Sequence, residues 1–270
     1  MKLPETATAV DSGSDFTNPY PDHYRILEDR LIFDYYFHPK NSDQLIIFFP
    51  SALPKGKRKV PAFHRWTWSE KFENFDCLCV SDPTLYINDK ILGGWMLGRS
   101  DAWALEISLN HIKQLATQKK YKKIVFTGSS LGGFCAIQAA LIFGNDAQEI
   151  FFYAENPQVS LLDYWIKSHM NLLAKCCYQK ETLEQAPEFR KRFDIIENSK
   201  GKISHSSGLI VVKESDEHHY AIHLPQLRKV NFSKNIEIEI IPKEEDGTGH
   251  TPLTTDQMLC RLNYLVKPEP

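Results

Sequence analysis

The stretch KKIVFTGSSLGGFCAIQAA, residues 122–140, constrains the fold more than any other part of the chain. An apolar run short enough to be one buried strand meets a glycine-rich turn, and a helical pattern follows with no spacer. The same alternation recurs on both sides. QLIIFFP, FDCLCVSD, EIFFYAENP, GLIVVKES and NIEIEIIP read as strands, and the spacing of Leu105, Leu109, Ile112 and Leu115 is helical. Further helical patterns lie around His219–Lys229 and Leu253–Val266, and YRILEDRLIFDYYFH alternates as a β-hairpin ahead of them all. Strands separated by helices imply right-handed crossovers, so the predicted class is α/β, a mainly parallel sheet with helices on both faces.

At 270 residues and 42% apolar composition, the chain can bury a sizeable core. Residues 1–20 are small, polar and proline-containing and read as a flexible arm, leaving 21–270 as the folded domain. Residues 163–206 interrupt the alternation, with helix-like pieces (WIKSHMNLLAKCC, APEFRKRF) where a strand would be due. This segment is expected to be a helical cap or lid inserted on the sheet; two ordinary crossover helices are the alternative.

With 32 basic and 34 acidic residues, nothing in the overall charge points to nucleic acid or an anionic membrane surface. Six cysteines form neither a disulfide framework nor a C-x-x-C zinc pattern, and no metal site is expected. The start of the chain has no apolar signal core, and no run has transmembrane length, so a cytoplasmic location without membrane insertion is expected. Oligomeric state is not readable from the sequence.

G-x-S-x-G is satisfied in one register, Gly128-Ser129-Ser130-Leu131-Gly132, which singles out Ser130. Small residues around a sharp strand-to-helix bend let the central residue adopt a strained backbone and lift its hydroxyl above the sheet. The helix that begins there aims its unpaired N–H groups at the place where an oxyanion would develop. Leu131 is the expected first donor, and the loop FFPSALP offers Ser51 or Ala52 for the second. The plainer reading, a glycine-rich turn or phosphate cradle, lacks the lysine of a P-loop and the G-x-G-x-x-G pattern. A serine hydroxyl needs a histidine base backed by a carboxylate. Chain order supplies both: GLIVVKESDEHH places Glu214, Asp216 and Glu217 after one strand, and EIEIIPKEEDGTGHTPL places His250 after the last. Asp216 is preferred as the acid over Glu214, and His218 and His219 read as surface residues at a helix start.

TGSSLGGFCAIQAA with FYAENPQVSL, SDPTL, GGWMLG and GTGHTPL resembles an α/β-hydrolase-fold family associated with bacterial capsule and surface-polysaccharide genes, some members of which are polysaccharide O-acetyltransferases. The resemblance spans most of residues 24–266. It implies Ser130 as acyl-accepting nucleophile, Asp216 as acid and His250 as base, with acetyl-CoA as acyl donor and a carbohydrate polymer as acceptor. A cytoplasmic enzyme beside a polysaccharide-synthesis complex would be expected. An esterase would use the same triad, and a non-catalytic scaffold on a hydrolase-like frame is the reading from another class.

Two local features bear on substrate. PKGKRKVP gathers Lys57 and Arg58 with two further lysines after the proposed oxyanion loop, suited to coenzyme A phosphates or an anionic glycan, or simply to a solvated loop. Arg65 is a candidate anion clamp. Trp66 and Trp95 are candidates for stacking on sugar rings, although tryptophan is more often core.

Overall fold

The computed structural model describes residues 8–9, 16, 19–143, 148–201, 205–232 and 235–266. Among the described residues, nine strands form one sheet in the order β1-β2-β3-β5-β4-β6-β7-β8-β9. The strands are β1 (Thr8–Ala9), β2 (Asp22–Glu28), β3 (Leu31–His38), β4 (Gln44–Phe48), β5 (Asp76–Val80), β6 (Lys123–Ser129), β7 (Glu149–Glu155), β8 (Ser207–Lys213) and β9 (Ile236–Ile241). From β5 through β4 to β9 every pairing is parallel; β3 runs antiparallel to both β2 and β5. The mainly parallel α/β architecture expected from the sequence is therefore present.

The β2–β3 hairpin closes on Asp29 and Arg30, at φ 49° and 63°. Positive φ at both turn residues matches the right-handed twist of the strands they join. Most of the segment read as an N-terminal arm lies outside the described residues. Two of its described pieces are docked: Thr8–Ala9 pair with β2, and buried Phe16 packs on Tyr24 at 4.7 Å between ring centroids.

Alternate residues of the central strands face opposite cores, as a pleated sheet covered on both sides requires. Leu45, Ile47, Ile124 and Phe126 face helices α1 (Ala104–Lys119) and α2 (Leu131–Phe143). Ile46, Phe48 and Val125 face the other way, onto Met258 and Leu262 of the C-terminal helix Thr255–Leu265. Those two side chains are essentially inaccessible, and each such burial contributes about 1.5–3 kcal/mol. Helix α2 is apolar on all sides and is buried along nearly its whole length, which fits its place under the chain that follows β7.

That following chain, 156–201, is helical in pieces and does two things. Its first part, with α3 (Lys167–Leu173), stands at the C-terminal edge of the sheet. Its second part packs on α2, where buried Gln138 donates to the Lys191 carbonyl at 3.1 Å and accepts from Asn198.

Candidate active site

Ser130 sits between the last residue of β6 and the first of α2 with φ 55°, a left-handed conformation that costs a non-glycine residue on the order of 1–3 kcal/mol. The bend is tight enough to exclude side chains next to it. A Cβ on Gly128 would lie 2.3 Å from the backbone of Gly132, and one on Gly132 would lie 2.8 Å from the carbonyl oxygens of Phe49 and Pro50. Ser130 N–H donates to the Glu155 carbonyl at 2.8 Å, which fixes the bend to the end of β7.

Asp216 follows β8 in a turn and is 6% exposed. Its two carboxylate oxygens accept from two different imidazoles: His250 Nδ1 lies 2.5 Å from Oδ2, and His219 Nδ1 lies 3.0 Å from Oδ1. Burial would raise the carboxyl's pKa, but these two bonds outweigh it and hold the group well below the usual carboxylate range. The two imidazoles stack nearly parallel, 4.6 Å apart at 18°.

The chain of contacts continues to the serine. His219 Nε2 lies 2.8 Å from Gln158 Nε2, and that same amide nitrogen donates to Ser130 Oγ at 2.9 Å. The Gln158 carbonyl accepts from the Trp95 indole N–H at 3.2 Å. No direct hydrogen bond joins Ser130 Oγ to His250 among the described residues; serine and acid–histidine pair are linked through Gln158 and His219. Catalytic hydrogen bonds in ligand-free sites are often long and tighten when substrate binds.

The loop bearing His250 is anchored from below. Lys213, at the end of β8 and 1% exposed, reaches Asp246 at 2.6 Å, Thr248 Oγ1 at 3.2 Å and the Thr251 carbonyl at 2.5 Å. Leu253 N–H donates to buried Glu155 Oε1 at 2.5 Å. A capping box between Thr254 and Gln257 then starts the C-terminal helix.

A cleft of about 550 Å³ adjoins the bend, with Ala52, Lys55, Lys90, Gly93, Tyr164 and His169 among its lining residues. Trp95 also lines it. A Cβ on Gly93 would lie 2.7 Å from Leu131 and 3.2 Å from Ala52, so the cleft floor touches the start of α2. The SDPTL and GGWMLG segments build this wall together: buried Asp82 accepts from Thr84 N–H at 2.9 Å and Gly94 N–H at 2.8 Å. His169 of α3 bonds the Gly93 carbonyl at 2.7 Å and closes the opposite side.

Several sequence-predicted residues gather here. Ser130, Asp216 and His250 occupy one hydrogen-bonded constellation, Leu131 opens the first turn of α2, where a helix supplies no acceptor for its N–H groups, and Ala52 lines the cleft, while Trp95 backs it at 1% exposure, too buried to stack on a sugar ring. Others are placed elsewhere. Ser51 N–H donates to His64 Nδ1 at 3.2 Å, so of the two oxyanion candidates in that loop this amide already has an acceptor. Arg65 is not at the cleft: its buried guanidinium lies 3.5 Å from Glu155 and 4.9 Å from the Trp68 ring. Trp66 packs on Tyr36 and the opposite core at 5.7 Å. Arg58 is directed to the backbone carbonyls of Leu85 and Ile91, holding its own loop, while Lys57 is exposed and outside the cleft lining. Glu214 accepts from Lys243 N–H rather than from a histidine.

His219 is a correction. It is 6% exposed, not a surface residue, and burial lowers its pKa, with the Asp216 bond opposing. The signal for it was present: Asp216 and His219 stand three apart at the start of a helical stretch, which puts them on one side. Gln158 was also missed; it lies just past the C-terminal end of a parallel strand, where ligand sites of α/β sheets concentrate. One ring nitrogen each of His219 and His250 and a carboxylate oxygen of Asp216 lie within 4.8 Å of one another. As they stand, both imidazoles face the carboxylate at hydrogen-bond distance.

No protein-family model matches the chain, and no curated protein matches it in sequence. Solved structures do match in fold. The capsule O-acetyltransferase of Neisseria meningitidis serogroup A superposes with a TM-score of 0.62 at 16% identity, covering 94% of each chain. A putative hydrolase from Agrobacterium vitis S4 gives 0.60 at 10% identity over 92% of this chain and 99% of its own. A Lactobacillus rhamnosis esterase B, solved with a tributyrin phosphonate, gives 0.55 at 11% identity over 86% and 80%. The chain has the α/β-hydrolase fold. Among the described residues no helix is long and apolar enough to cross a membrane.

Proposed function

We propose that the chain is a serine-nucleophile acyltransferase that O-acetylates a bacterial surface or capsular polysaccharide from acetyl-CoA. The observation that carries this reading is the strained Ser130 standing in hydrogen-bond continuity with Asp216 and its histidines. Ser130 Oγ attacks the thioester carbonyl while its proton passes to His250 Nε2, the nitrogen left free by Asp216. Leu131 and Ala52 N–H groups hold the oxyanion. The carbon–sulfur bond breaks, His250 returns the proton to the departing thiolate, and acetyl-Ser130 remains. A sugar hydroxyl then attacks the ester, loses its proton to His250, and Ser130 recovers it as the acetylated sugar leaves.

The exposed lysines Lys55 and Lys90 on the cleft rim suit the phosphates of coenzyme A or an anionic glycan, and Tyr164, packed edge-on against buried Trp95, offers an aromatic surface. The likeness to a capsule O-acetyltransferase in fold adds to the same reading. Incubation with acetyl-CoA and a panel of capsular polysaccharides tests it: acceptor-dependent CoA release with acetylated polymer is expected. Turnover of p-nitrophenyl acetate with no transfer to any glycan would make the chain an esterase instead, and absence of fluorophosphonate labelling at Ser130 would overturn both.

A further inference from the structure

The orientation of one amide decides the proton positions around Asp216. The Trp95 indole N–H only donates, so the Gln158 oxygen must face it, at 3.2 Å. The Gln158 NH2 group therefore faces Ser130 Oγ at 2.9 Å and His219 Nε2 at 2.8 Å, one hydrogen for each. An amide nitrogen only donates, so His219 Nε2 must carry a lone pair. The remaining His219 proton is on Nδ1, aimed at Asp216 Oδ1 at 3.0 Å. Ser130 Oγ accepts from Gln158, which leaves its own hydrogen for another partner.

Resting on the acyl-transfer reading above, we infer that Gln158 is a positioning residue that locks His219 as a neutral donor to Asp216 and leaves proton transfer to His250 alone. With two imidazoles on one carboxylate, either could in principle take the serine proton. Gln158 removes the ambiguity, because its N–H occupies the one lone pair through which His219 could act as a base. If His219 gained a proton on Nε2, two donors would face each other and the amide would have to leave, releasing Ser130 as well. The other groups around His219 are His250, stacked at 4.6 Å, His223 at 5.2 Å and His218 at 5.6 Å between ring centroids. None supplies a second anion, and burial favours the neutral ring.

Two measurements on the full chain test this. Nitrogen-15 NMR of the histidine rings at pH 7 should show His219 neutral and protonated on Nδ1. In the near-isosteric variant Gln158→Glu, which places an acceptor where the NH2 group stood, His219 should become doubly protonated. The rate of fluorophosphonate labelling at Ser130 should fall at least about tenfold at pH 7 in Gln158→Glu, with its acid limb moved to higher pH. In Gln158→Ala the rate should fall comparably. A His219 ring protonated on Nε2 in the unaltered protein would overturn the inference, as would labelling of both variants at the unaltered rate and pH profile. Failure of the unaltered protein to label at all would instead count against the acyl-transfer reading.

Discussion

The buried ammonium of Lys213 reaches the carboxylate of Asp246 at 2.6 Å, joining the end of β8 to the loop that carries His250. Two more oxygens of the same loop complete its coordination, so one lysine at the floor of the sheet sets the height of the imidazole above it. The Lys213 bond, reinforced by Thr248, draws the Asp246 carboxyl down to about 2.

Replacing Asp246 by Asn should take from this buried ammonium the carboxylate it touches. Because Asp246 is itself partly exposed, losing this charge-assisted bond costs about 1.5–3 kcal/mol, which urea denaturation would register as a lower midpoint at unchanged slope. Labelling of Ser130 by a fluorophosphonate should slow by roughly tenfold, because a displaced base loses alignment faster than it loses chemistry.

Ser130→Gly should raise stability by about 1 kcal/mol while abolishing labelling, since glycine adopts φ 55° without strain. Ser130→Ala should abolish labelling with no such gain. The comparison of the two melting temperatures isolates the backbone strain from the loss of the hydroxyl. His250→Ala should lower labelling by several orders of magnitude, and Asp216→Asn somewhat less.

Gly128→Ala tests the geometry of the bend. The added methyl would stand 2.3 Å from Gly132 backbone atoms, and nothing there is a flexible side-chain end. A loss of about 2 kcal/mol or more is expected by urea denaturation, together with weakened labelling, because relief requires the start of α2 to move.

Stability should fall on mild acidification. His223, 1% exposed, accepts from Val159 N–H, and burial first of all holds its pKa down to about 3 from 6.5. The unfolded chain therefore takes up this proton before the folded one does. Stability is complete above about pH 6.5 and declines as pH falls toward 3, at a slope approaching about 1.4 kcal/mol per pH unit. Urea midpoints at pH 7, 6 and 5 measure it, and His223→Gln, which keeps an acceptor for Val159, should flatten the decline.

Much of the fold was legible because its signals are local. The apolar runs are buried strands in the expected order, and the helix read from Leu105, Leu109, Ile112 and Leu115 is present as Ala104–Lys119. The glycines around Ser130 were legible for the same reason, since the bend is made by neighbours in sequence. Side-chain direction was not. Arg65 and Trp66 sit in a segment close to the cleft in the chain, yet they pack on the opposite face, an outcome set by which side of the sheet the segment crosses. His219 escaped because a histidine beside an acidic turn looks solvated until the chain after β7 covers it. Gln158 carries no motif of its own; its role arises only where Trp95, Ser130 and His219, from three separate segments, converge on one amide.

Ser130, Asp216 and His250 hang from the ends of β6, β8 and β9, whereas Tyr164, Ser168 and His169, which line the adjoining cleft, come from the excursion after β7. The excursion therefore serves both the hydrogen-bonded group at Ser130, through Gln158, and the wall of the adjoining cleft. Rewriting its outer part, from Tyr164 onward, would reshape the cleft while leaving the Ser130 bend and the Asp216–His250 pair untouched.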